Sequence, residues 1–576
     1  MTDGLPVLVV GAGPVGLTAA AELARHGVPV RCVERAAAPS PRSRALLVWP
    51  RTLEVFRSLG GSPRGALPVQ AFRYYSDGTE VLRLRFTART RPVVFPQPAV
   101  EAMLTAQAEA AGVRVERATE LVALAQSGDR VSVTLRGTTG TRAEDFAYVL
   151  GCDGASSTVR AQLGLGFDGA TYPNTFVLAD ARLDGPLGAE SLHYYCSPRG
   201  VLVIIGLPSG RFRFFTSCPP GVADGDVTLG LLQHLVDQRG PGGLRLYDED
   251  WVSTFLIHRR AVDRYRVGRA FLAGDAAHVH SPAGGQGLNT GVTDAHNLAW
   301  KIAYVHAGRS PAALLDSYGP ERAGVAAAVL RQSDVQTRAW LIRKPYRIKA
   351  RDAALRAAGA TAALQRWYVP QLCGLRSHYP PDALLAAPPA APAQAPRPAR
   401  EAPAARLAQL ARLAQLARLA RLAQLARLAR LARLARLARL ARLAVRRRTV
   451  LPGALVPDVP VTTTDGARQP LREVLPPTTF TLLLWTPAGR AVPGPLAALA
   501  AWVAASHAAT VTVLVLDGAP GRRALAVLVR PDHYVAGCAT GRSARRLRSS
   551  VEALLAPQRP GPPVPAAAPR TLAAVR

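Results

Sequence analysis

The sequence is poor in cysteine, and its cysteines show none of the pairings that make a redox or metal site. Neither a C-x-x-C pair nor a zinc-like grouping with histidine occurs among the six cysteines, at positions 32, 152, 196, 218, 373 and 538. The chain also lacks an N-terminal signal-peptide pattern and any run of roughly 20 uncharged apolar residues. We therefore expect a reduced cytoplasmic protein with no bound metal and no stable membrane association.

Acidic residues are scarce, and one segment has none. The chain carries 71 Lys and Arg against 39 Asp and Glu, a net charge of +32. Thirteen arginines and no acidic residue lie between Arg406 and Arg448. The remaining excess is spread along the rest of the chain, without the aromatic-interleaved basic clusters that bind nucleic-acid strands. The charge therefore predicts no nucleic-acid partner.

Residues 406–444 form a triplet repeat, (R/Q)-L-A, of thirteen units. All its residue types are strong helix formers, but a period of three rotates the leucines by about 60° per unit around a helix. Such a helix has no continuous apolar face with which to pack. Because Pro- and Ala-rich residues precede the repeat, we interpret 386–448 as a linker and low-complexity segment.

The N-terminus has the pattern strand, glycine turn, helix, strand. Gly11, Gly13 and Gly16 form G-x-G-x-x-G after the apolar run LPVLVV, so backbone amides at a helix start can approach a pyrophosphate. Glu34 ends the second strand, followed by Arg35, and its carboxylate can accept hydrogen bonds from an adenosine ribose. This pattern predicts dinucleotide binding, with Arg35 as a further cofactor contact.

A second glycine-rich turn lies far along the chain, within GRAFLAGDAAHVHSPAGGQGLN at 268–289. A strand ends at Gly274 and Asp275, where a carboxylate can bond the ribityl hydroxyls of a flavin. The turn then leads into a helix whose free N–H groups can face the pyrimidine edge of the isoalloxazine and stabilise reduced flavin. The residues predicted to contact FAD here are Gly274, Asp275, Pro282, Gly284, Gly285, Gly287, Leu288 and Asn289.

Three motifs in order, GAGPVG, CDGASSTVR and AGDAAH, resemble those of the group A flavoprotein monooxygenases, the para-hydroxybenzoate hydroxylase-like family. The resemblance covers residues 5 to about 345 and, by domain order, 450–540. It is closest to the aromatic-polyketide and phenol-type hydroxylase branch with a C-terminal thioredoxin-like domain. The resemblance implies further contacts, with FAD or with NADPH or NADH, from Arg42, Arg44, Gln97, Asp153, Gly154 and Arg160.

The predicted fold is α/β, with a G-x-G-x-x-G Rossmann-like FAD-binding domain interleaved with a β-rich substrate domain. Within 1–385, the FAD-binding parts are expected at about 1–71, 98–170 and 262–345, and the substrate parts at about 72–97 and 171–261. Residues 449–576 have the strand and helix order of a thioredoxin-like domain. Its single cysteine, Cys538, excludes C-x-x-C chemistry there.

The resemblance implies an FAD-dependent monooxygenase of the EC 1.14.13 type. NADPH or NADH reduces FAD, and a flavin hydroperoxide transfers one atom of dioxygen to an aromatic or polyketide-like substrate. No side chain needs to act as a nucleophile, the sequence does not identify a general base, and it leaves a homodimer open. Candidate substrate contacts in the β-rich part, where packing is the commoner role, are His193, Tyr195, Arg213 and Phe215.

Other functions stay open at the level of sequence. A Baeyer–Villiger-type, epoxidase or antibiotic-inactivating flavin monooxygenase would use the same cofactor motifs. A flavin-dependent reductase shares G-x-G-x-x-G and the GD motif but would place no oxygen from dioxygen in its product. A protein that binds nucleic acid or an anionic surface is the least favoured, because near-perfect triplets are typical of repeat expansion in GC-rich coding sequence.

Deleting residues 388–445 tests the linker interpretation. We expect the shortened chain to keep FAD and turnover, because the deleted segment has no apolar face to contribute to a core. Visible absorption measures FAD per chain, and NAD(P)H oxidation measures turnover. A soluble deletion variant without FAD would contradict the interpretation.

Overall fold

The computed structural model describes residues 4–41, 45–219, 222, 227–380, 450–463, 465–518, 523–555 and 570–574. The predicted linker and repeat at 386–448 lie outside the described residues. The strands up to residue 280 are β1 (Val7–Val10), β2 (Val30–Val33), β3 (Leu47–Val48), β4 (Leu67–Pro68), β5 (Ala71–Ser76), β6 (Thr79–Arg85), β7 (Val93–Val94), β8 (Val115–Glu116), β9 (Glu120–Ser127), β10 (Arg130–Gly137), β11 (Gly140–Phe146), β12 (Tyr148–Gly151), β13 (Asp168–Asp184), β14 (Ser191–Ser197), β15 (Gly200–Gly206), β16 (Phe212–Ser217), β17 (Arg245–Ala261), β18 (Arg266–Val267), β19 (Ala270–Leu272) and β20 (His278–Val279).

The described residues up to 380 also contain α-helices and two short 3-10 helices, at Gly274–Ala276 and Ala312–Ser317. The α-helices are α1 (Pro14–Arg25), α2 (Pro50–Ser58), α3 (Gln97–Ala110), α4 (Thr158–Gln162), α5 (Leu229–Arg239), α6 (Gly287–His306), α7 (Tyr318–Trp340), α8 (Pro345–Gly359) and α9 (Ala362–Leu372). Between α6 and α7 the chain turns at Gly308, whose φ is +66°, and at Pro311, which cannot continue the hydrogen bonding of a helix. Within the described ranges, no helix combines the length and apolar character needed to cross a bilayer.

A six-stranded sheet, in the order β18-β19-β12-β1-β2-β8, forms the first layer. Its strands are parallel except β18, which is antiparallel to β19. β1 is buried on both faces, as expected for a continuous apolar run such as VLVV. Helices α1 and α6 pack closely together beside this sheet, so the predicted α/β fold is confirmed.

An eight-stranded sheet, in the order β20-β17-β13-β16-β15-β14-β5-β6, forms the β-rich part. Neighbouring strands are antiparallel except β14 and β5. Side chains alternate between its two faces. One face, which includes Phe72 and Tyr194, packs on Trp49 and Trp340. The opposite face, which includes Phe214, packs on α5.

The C-terminal region contains a further sheet in the order β22-β21-β27-β24-β23-β25-β26. The sequence predicts the strands at Phe480–Trp485, Val511–Asp517 and Leu525–Val529 and the two helices at Gly494–Ser506 and Ala544–Leu554, and these occur in the expected order. The other strands and short helices of this region were not predicted, and the name thioredoxin-like stays a prediction. The elements are β21 (Pro460–Thr462), β22 (Arg468–Pro470), α10 (Leu471–Val474), β23 (Phe480–Trp485), α11 (Gly494–Ser506), β24 (Val511–Asp517), β25 (Leu525–Val529), β26 (Val535–Ala539), a 3-10 helix (Gly541–Ser543), α12 (Ala544–Leu554) and β27 (Arg570–Ala574).

A buried ionic network joins the C-terminal region to α6 and α7. Arg530 Nη1 donates to Glu321 Oε1 at 2.6 Å, and Arg530 Nε donates to Asp532 Oδ1 at 2.8 Å. Lys301 Nζ donates to Glu321 Oε2 at 2.7 Å. All four side chains are at most 1% exposed. Two cations therefore balance two carboxylates inside the interface, and removing one partner would leave a buried charge uncompensated.

Arg530→Met tests how much this network contributes to the free energy of unfolding. We expect the free energy of unfolding to fall by roughly 3–5 kcal/mol, because Glu321 and Asp532 lose their shared cation. Urea denaturation followed by tryptophan fluorescence measures the change. The control is Arg548→Met, which breaks an exposed pair with Glu552 and should cost at most about 1 kcal/mol. Equal losses of unfolding free energy in the two variants would contradict a large contribution from the buried network.

Candidate functional site

The predicted cofactor segments follow neighbouring strands of the six-stranded sheet. The glycine turn follows β1, Glu34 follows β2, Asp153 follows β12 and Gly274 follows β19. Because these strands are parallel and adjacent, their carboxyl ends open at one edge, where α/β sheets bind ligands. The structure therefore brings these segments together.

The three glycines of the first turn meet different surroundings. A Cβ at Gly16 would lie 1.8 Å from the Gly11 carbonyl oxygen, and a Cβ at Gly11 would lie 2.6 Å from the Cys152 carbonyl oxygen. At Gly13, just before α1, a Cβ would meet no protein atom within 4 Å. Gly11 and Gly16 are thus needed for packing within the protein, whereas the space beside Gly13 is open to a ligand at the positive end of α1.

Glu34 holds the glycine turn from the end of β2. Its Oε2 accepts a hydrogen bond from the Ala12 N–H at 2.8 Å, and its Oε1 accepts one from the Ala36 N–H at 2.9 Å. Each carboxylate oxygen has a further lone pair for a ligand hydroxyl. Arg35, the next residue, is exposed. The position of Glu34 fits the predicted contact with a ribose.

Asp153 and Gly154 form the turn between β12 and α4. The Asp153 carboxylate accepts hydrogen bonds from Ser157 Oγ at 2.6 Å and from the Val159 N–H at 3.1 Å. Burial raises the pKa of Asp153, although these hydrogen bonds act in the opposite direction. Asp153 therefore holds the start of α4.

Arg160 connects the Asp153 turn to the turn after β19. Its guanidinium donates to the Ala276 carbonyl at 3.0 Å and lies 4.0 Å from the centre of the Phe167 ring. Ala276 follows Asp275, which is exposed at the same turn. The guanidinium thus fixes two of the predicted FAD-binding turns relative to each other.

The second glycine-rich turn is held by Asn289 in the first turn of α6. Asn289 Nδ2 donates to the Leu47 carbonyl at 2.8 Å, and its Oδ1 accepts from the Trp49 N–H at 2.8 Å. A Cβ at Gly287 would meet no protein atom within 4 Å, so the helix start is open there. The remaining predicted contacts lie in the same turn or just after it: Pro282, Gly284, Gly285 and Leu288.

The structure describes only one of the three remaining residues that the resemblance implies, Gln97. Arg42 and Arg44 are outside the described residues. Gln97 is the first residue of α3; its N–H donates to the Ala45 carbonyl at 3.1 Å and its Nε2 donates to Glu101 Oε1 at 2.8 Å. Its described contacts are therefore with Ala45 and Glu101, and its predicted contact with FAD stays a prediction.

The substrate candidates divide between the two faces of the eight-stranded sheet. Phe215 packs on the face that also carries Tyr194, and both rings contact Trp340, with centroids 6.2 and 5.4 Å away. His193 and Tyr195 are on the opposite face, where Tyr195 packs with the residues under α5. His193 Nε2 lies 3.1 Å from the Gly188 carbonyl oxygen. The structure therefore brings Phe215 together with Tyr194 and separates it from His193 and Tyr195.

Arg213 shares the sheet face of Phe215 but has a carboxylate partner. Its Nε and Nη2 donate to the two oxygens of Asp180, both at 2.6 Å. Trp251 Nε1 also donates to Asp180, at 3.0 Å. Arg213 and Asp180 are both buried. The pair satisfies its charge within the sheet, which is a structural role that the sequence spacing does not reveal.

A cavity of about 520 Å³ lies between the eight-stranded sheet and α7–α9. Gln336 in its wall donates from Nε2 to Tyr74 Oη at 3.2 Å, and a Cβ at Gly284 would lie 3.4 Å from Gln336 Oε1. The cavity therefore borders the turn before α6. The aromatic residues of its wall are Tyr74, Tyr75, Trp340, Trp367 and Tyr368.

The geometry fits a flavin dinucleotide better than a metal centre. Two helix starts and the Glu34 carboxylate lie at one edge of the sheet, and space is open beside Gly13 and Gly287. Among the described residues, no group of three or more histidines, cysteines and carboxylates could hold a metal ion. We therefore expect the turns and helix starts of the chain to hold the cofactor at this site.

Comparison with known proteins agrees with this geometry. Residues 4–333 match the FAD binding domain family, and residues 449–557 match the aromatic-ring hydroxylase C-terminal family. The chain is 36% identical over 400 residues to the 6-methylpretetramide 4-monooxygenase of Streptomyces rimosus, covering 66% of this chain and 70% of that protein.

Solved structures show the same likeness over nearly the whole chain. The OxyS anhydrotetracycline hydroxylase from Streptomyces rimosus superposes with a TM-score of 0.70 at 27% identity, covering 96% of this chain and 100% of that one. An aklavinone-11 hydroxylase, solved with FAD and aklavinone, superposes with a TM-score of 0.68 at 25% identity and the same coverage. The chain therefore belongs to the FAD-binding aromatic-ring hydroxylases and is an FAD-dependent monooxygenase of that type.

Proposed function

We propose that this enzyme inserts one oxygen atom from dioxygen into a multi-ring, polyketide-like aromatic substrate, with NADPH or NADH as reductant. The observation that carries the proposal is the cavity of about 520 Å³ beside the turn before α6. Pockets of roughly 300–1,000 Å³ hold drug-sized ligands, so this volume favours several fused rings over one. The likeness to an anhydrotetracycline hydroxylase and an aklavinone-11 hydroxylase supports the same class.

The cavity wall suits a planar, apolar substrate. Trp340 and Trp367 offer aromatic faces on which fused rings can stack. Burial raises the pKa of Tyr74 well above its usual 10 and that of Tyr368 to about 12. Both hydroxyls therefore stay neutral at physiological pH and can hydrogen-bond to substrate oxygens without adding charge. His193 and Tyr195, which lie on the far face of the sheet, have no part in the proposed site.

In this proposal FAD lies along the carboxyl edge of the six-stranded sheet. Gly13 and the start of α1 hold the pyrophosphate, Glu34 the adenosine ribose, Asp275 the ribityl chain, and the start of α6 the isoalloxazine. Bound FAD supplies hydride acceptance and oxygen activation. The chain's own tasks are to orient the substrate ring and to exclude water from the reacting centre.

The cysteines take no part in the proposed reaction. All six are described and none is in a disulfide. Five are buried, and burial raises the pKa of thiols such as Cys196, to about 12. Such thiols are unreactive, so the proposed reaction assigns them no role.

Gly13→Ala tests the proposed pyrophosphate site. The added methyl meets no protein atom, so apoprotein stability should be unchanged, whereas contact with a phosphate should weaken FAD binding by roughly tenfold or more. Fluorescence titration of apoprotein with FAD measures the dissociation constant. Gly16→Ala is the contrasting variant, because its methyl collides with the Gly11 carbonyl and should destabilise the apoprotein itself. Unchanged FAD affinity in a folded Gly13→Ala protein would refute the assignment.

Oxygen insertion is tested with labelled dioxygen. The holoenzyme is screened against single-ring phenols and polycyclic quinones for stimulated NAD(P)H oxidation, and products are analysed by mass spectrometry. We expect polycyclic compounds to stimulate turnover and to gain one heavy oxygen atom. Stimulation without heavy oxygen in the product would contradict oxygen insertion, and labelled products from single-ring phenols alone would contradict the substrate class.

The cavity itself is tested by filling it. Ala358 lines the cavity on α8, so Ala358→Trp should lower kcat/KM for a polycyclic substrate by roughly tenfold, because overpacking commonly costs 1–3 kcal/mol. FAD content should not change. The matched control is Ala357→Trp, whose side chain is exposed outside the lining and which should retain native kinetics. Equal kinetics in the two variants would place the substrate elsewhere.

A further inference from the structure

A fully buried ion pair lies directly behind the two segments proposed to hold the flavin. Asp294 on α6 and Arg322 on α7 are at most 1% exposed, and Arg322 Nε donates to Asp294 Oδ1 at 2.5 Å. The other carboxylate oxygen accepts from the Gly274 N–H at 3.1 Å and lies 2.7 Å from His278 Nε2. Asp294 therefore holds the turn that precedes Asp275.

Arg322 holds the other segment, the start of α6. Its Nη2 donates to the Thr290 carbonyl at 3.2 Å and to Thr293 Oγ1 at 2.9 Å. Burial alone would raise the pKa of Asp294, but Arg322 and His278 outweigh it, so the pKa is lowered. The carboxylate and the guanidinium thus stay ionised at physiological pH. One ion pair therefore fixes the Gly274 turn and the start of α6 relative to each other.

The same guanidinium reaches the C-terminal region. Arg322 Nη1 donates to Tyr379 Oη at 3.0 Å. The Tyr379 ring stacks on Tyr534 with centroids 4.0 Å apart, and its N–H donates to the Gly453 carbonyl at 2.8 Å. Tyr534 lies in the turn between β25 and β26, next to the buried ionic network.

We propose that Asp294 and Arg322 are positioning residues for FAD, and that Tyr379 connects their placement to the C-terminal region. The inference rests on the proposed assignment of the Gly274 turn and the start of α6 to the flavin. Neither side chain needs to touch FAD. They act through the Gly274 N–H and the first turns of α6, whose orientation decides where backbone dipoles point.

Because Asp294 and Arg322 carry opposite charges, the proposal predicts changes in the reduction potential of bound FAD as well as in stability. Removing the carboxylate leaves a buried positive charge behind the start of α6, which stabilises the negative charge of reduced flavin. Removing the guanidinium leaves a buried negative charge that opposes it. The two changes should therefore move the reduction potential of bound FAD in opposite directions.

The experiment compares Asp294→Asn and Arg322→Gln with a matched control, Glu321→Gln. Glu321 is equally buried and also ion-paired, but its partners belong to the network with Lys301 and Arg530. All three variants should melt at lower temperature. Only the first two should weaken FAD binding, by roughly tenfold or more, with the potential rising in Asp294→Asn and falling in Arg322→Gln. Arg322→Lys should restore the potential in part.

Tyr379→Phe keeps the proposal testable if the charge variants fail to fold. It removes one hydroxyl that accepts from Arg322 and preserves the stacking on Tyr534. We expect FAD affinity to fall about threefold with little loss of stability. Unchanged FAD affinity and potential in Tyr379→Phe would overturn the connection to the C-terminal region.

The positioning role itself has its own decisive outcome. It would be overturned if folded Asp294→Asn or Arg322→Gln behaved like Glu321→Gln, with native potential and FAD affinity. Gly13→Ala reports separately on the FAD site. If the proposed FAD site is wrong, Gly13→Ala keeps native FAD affinity. If only the positioning role is wrong, Gly13→Ala weakens FAD binding while Asp294→Asn and Arg322→Gln do not.

Discussion

Helix α6 is almost completely buried, and the need to satisfy each polar side chain on it organises the molecule around it. Asn289 bonds the backbone of β3 at Leu47, and Asp294 bonds the Gly274 turn and α7. His296 pairs with Glu22 of α1 at 2.7 Å, and Lys301 pairs with Glu321. A buried polar group without a partner costs several kcal/mol, so moving α6 would unpair four neighbouring segments together. The turns proposed to hold FAD are fixed by this constraint, because the turn at 282–286 leads into α6 and the Gly274 turn bonds Asp294.

The sequence predicts those parts of the site that depend on local backbone geometry. Glycine turns at helix starts and an acidic residue after β2 need only a few consecutive residues, so Gly11, Gly13 and Glu34 can be identified from the sequence alone. The cavity cannot, because its wall joins distant segments: Gln336 bonds Tyr74, 262 residues earlier in the chain. No local pattern marks that contact, because the two residues belong to a strand and a helix that are far apart in the sequence.

The eight-stranded sheet also has a feature that the sequence alone does not determine. Alternation places His193 and Tyr195 on one face and Tyr194 on the other, but it does not say which face meets the cofactor. That choice is made by α5, which covers the Tyr195 face, and by Trp49 and Trp340, which pack on the Tyr194 face. Arg213 is a related case, since its partner Asp180 lies on a neighbouring strand whose register only the fold determines.

The two ends of the segment between residues 380 and 450 are close together in the fold. The Tyr379 N–H donates to the Gly453 carbonyl, and His378 bridges to Ala454. The two ends of this connection are therefore held next to each other. Doubling the length of a flexible loop whose ends are held in this way costs only about 0.6 kcal/mol in closure entropy. The buried network of Arg530, Asp532 and Glu321 ties the C-terminal region to α7. A longer connection between Tyr379 and Gly453 therefore costs little closure entropy and leaves unchanged the contacts that Asp294 and Arg322 make with the Gly274 turn and the start of α6.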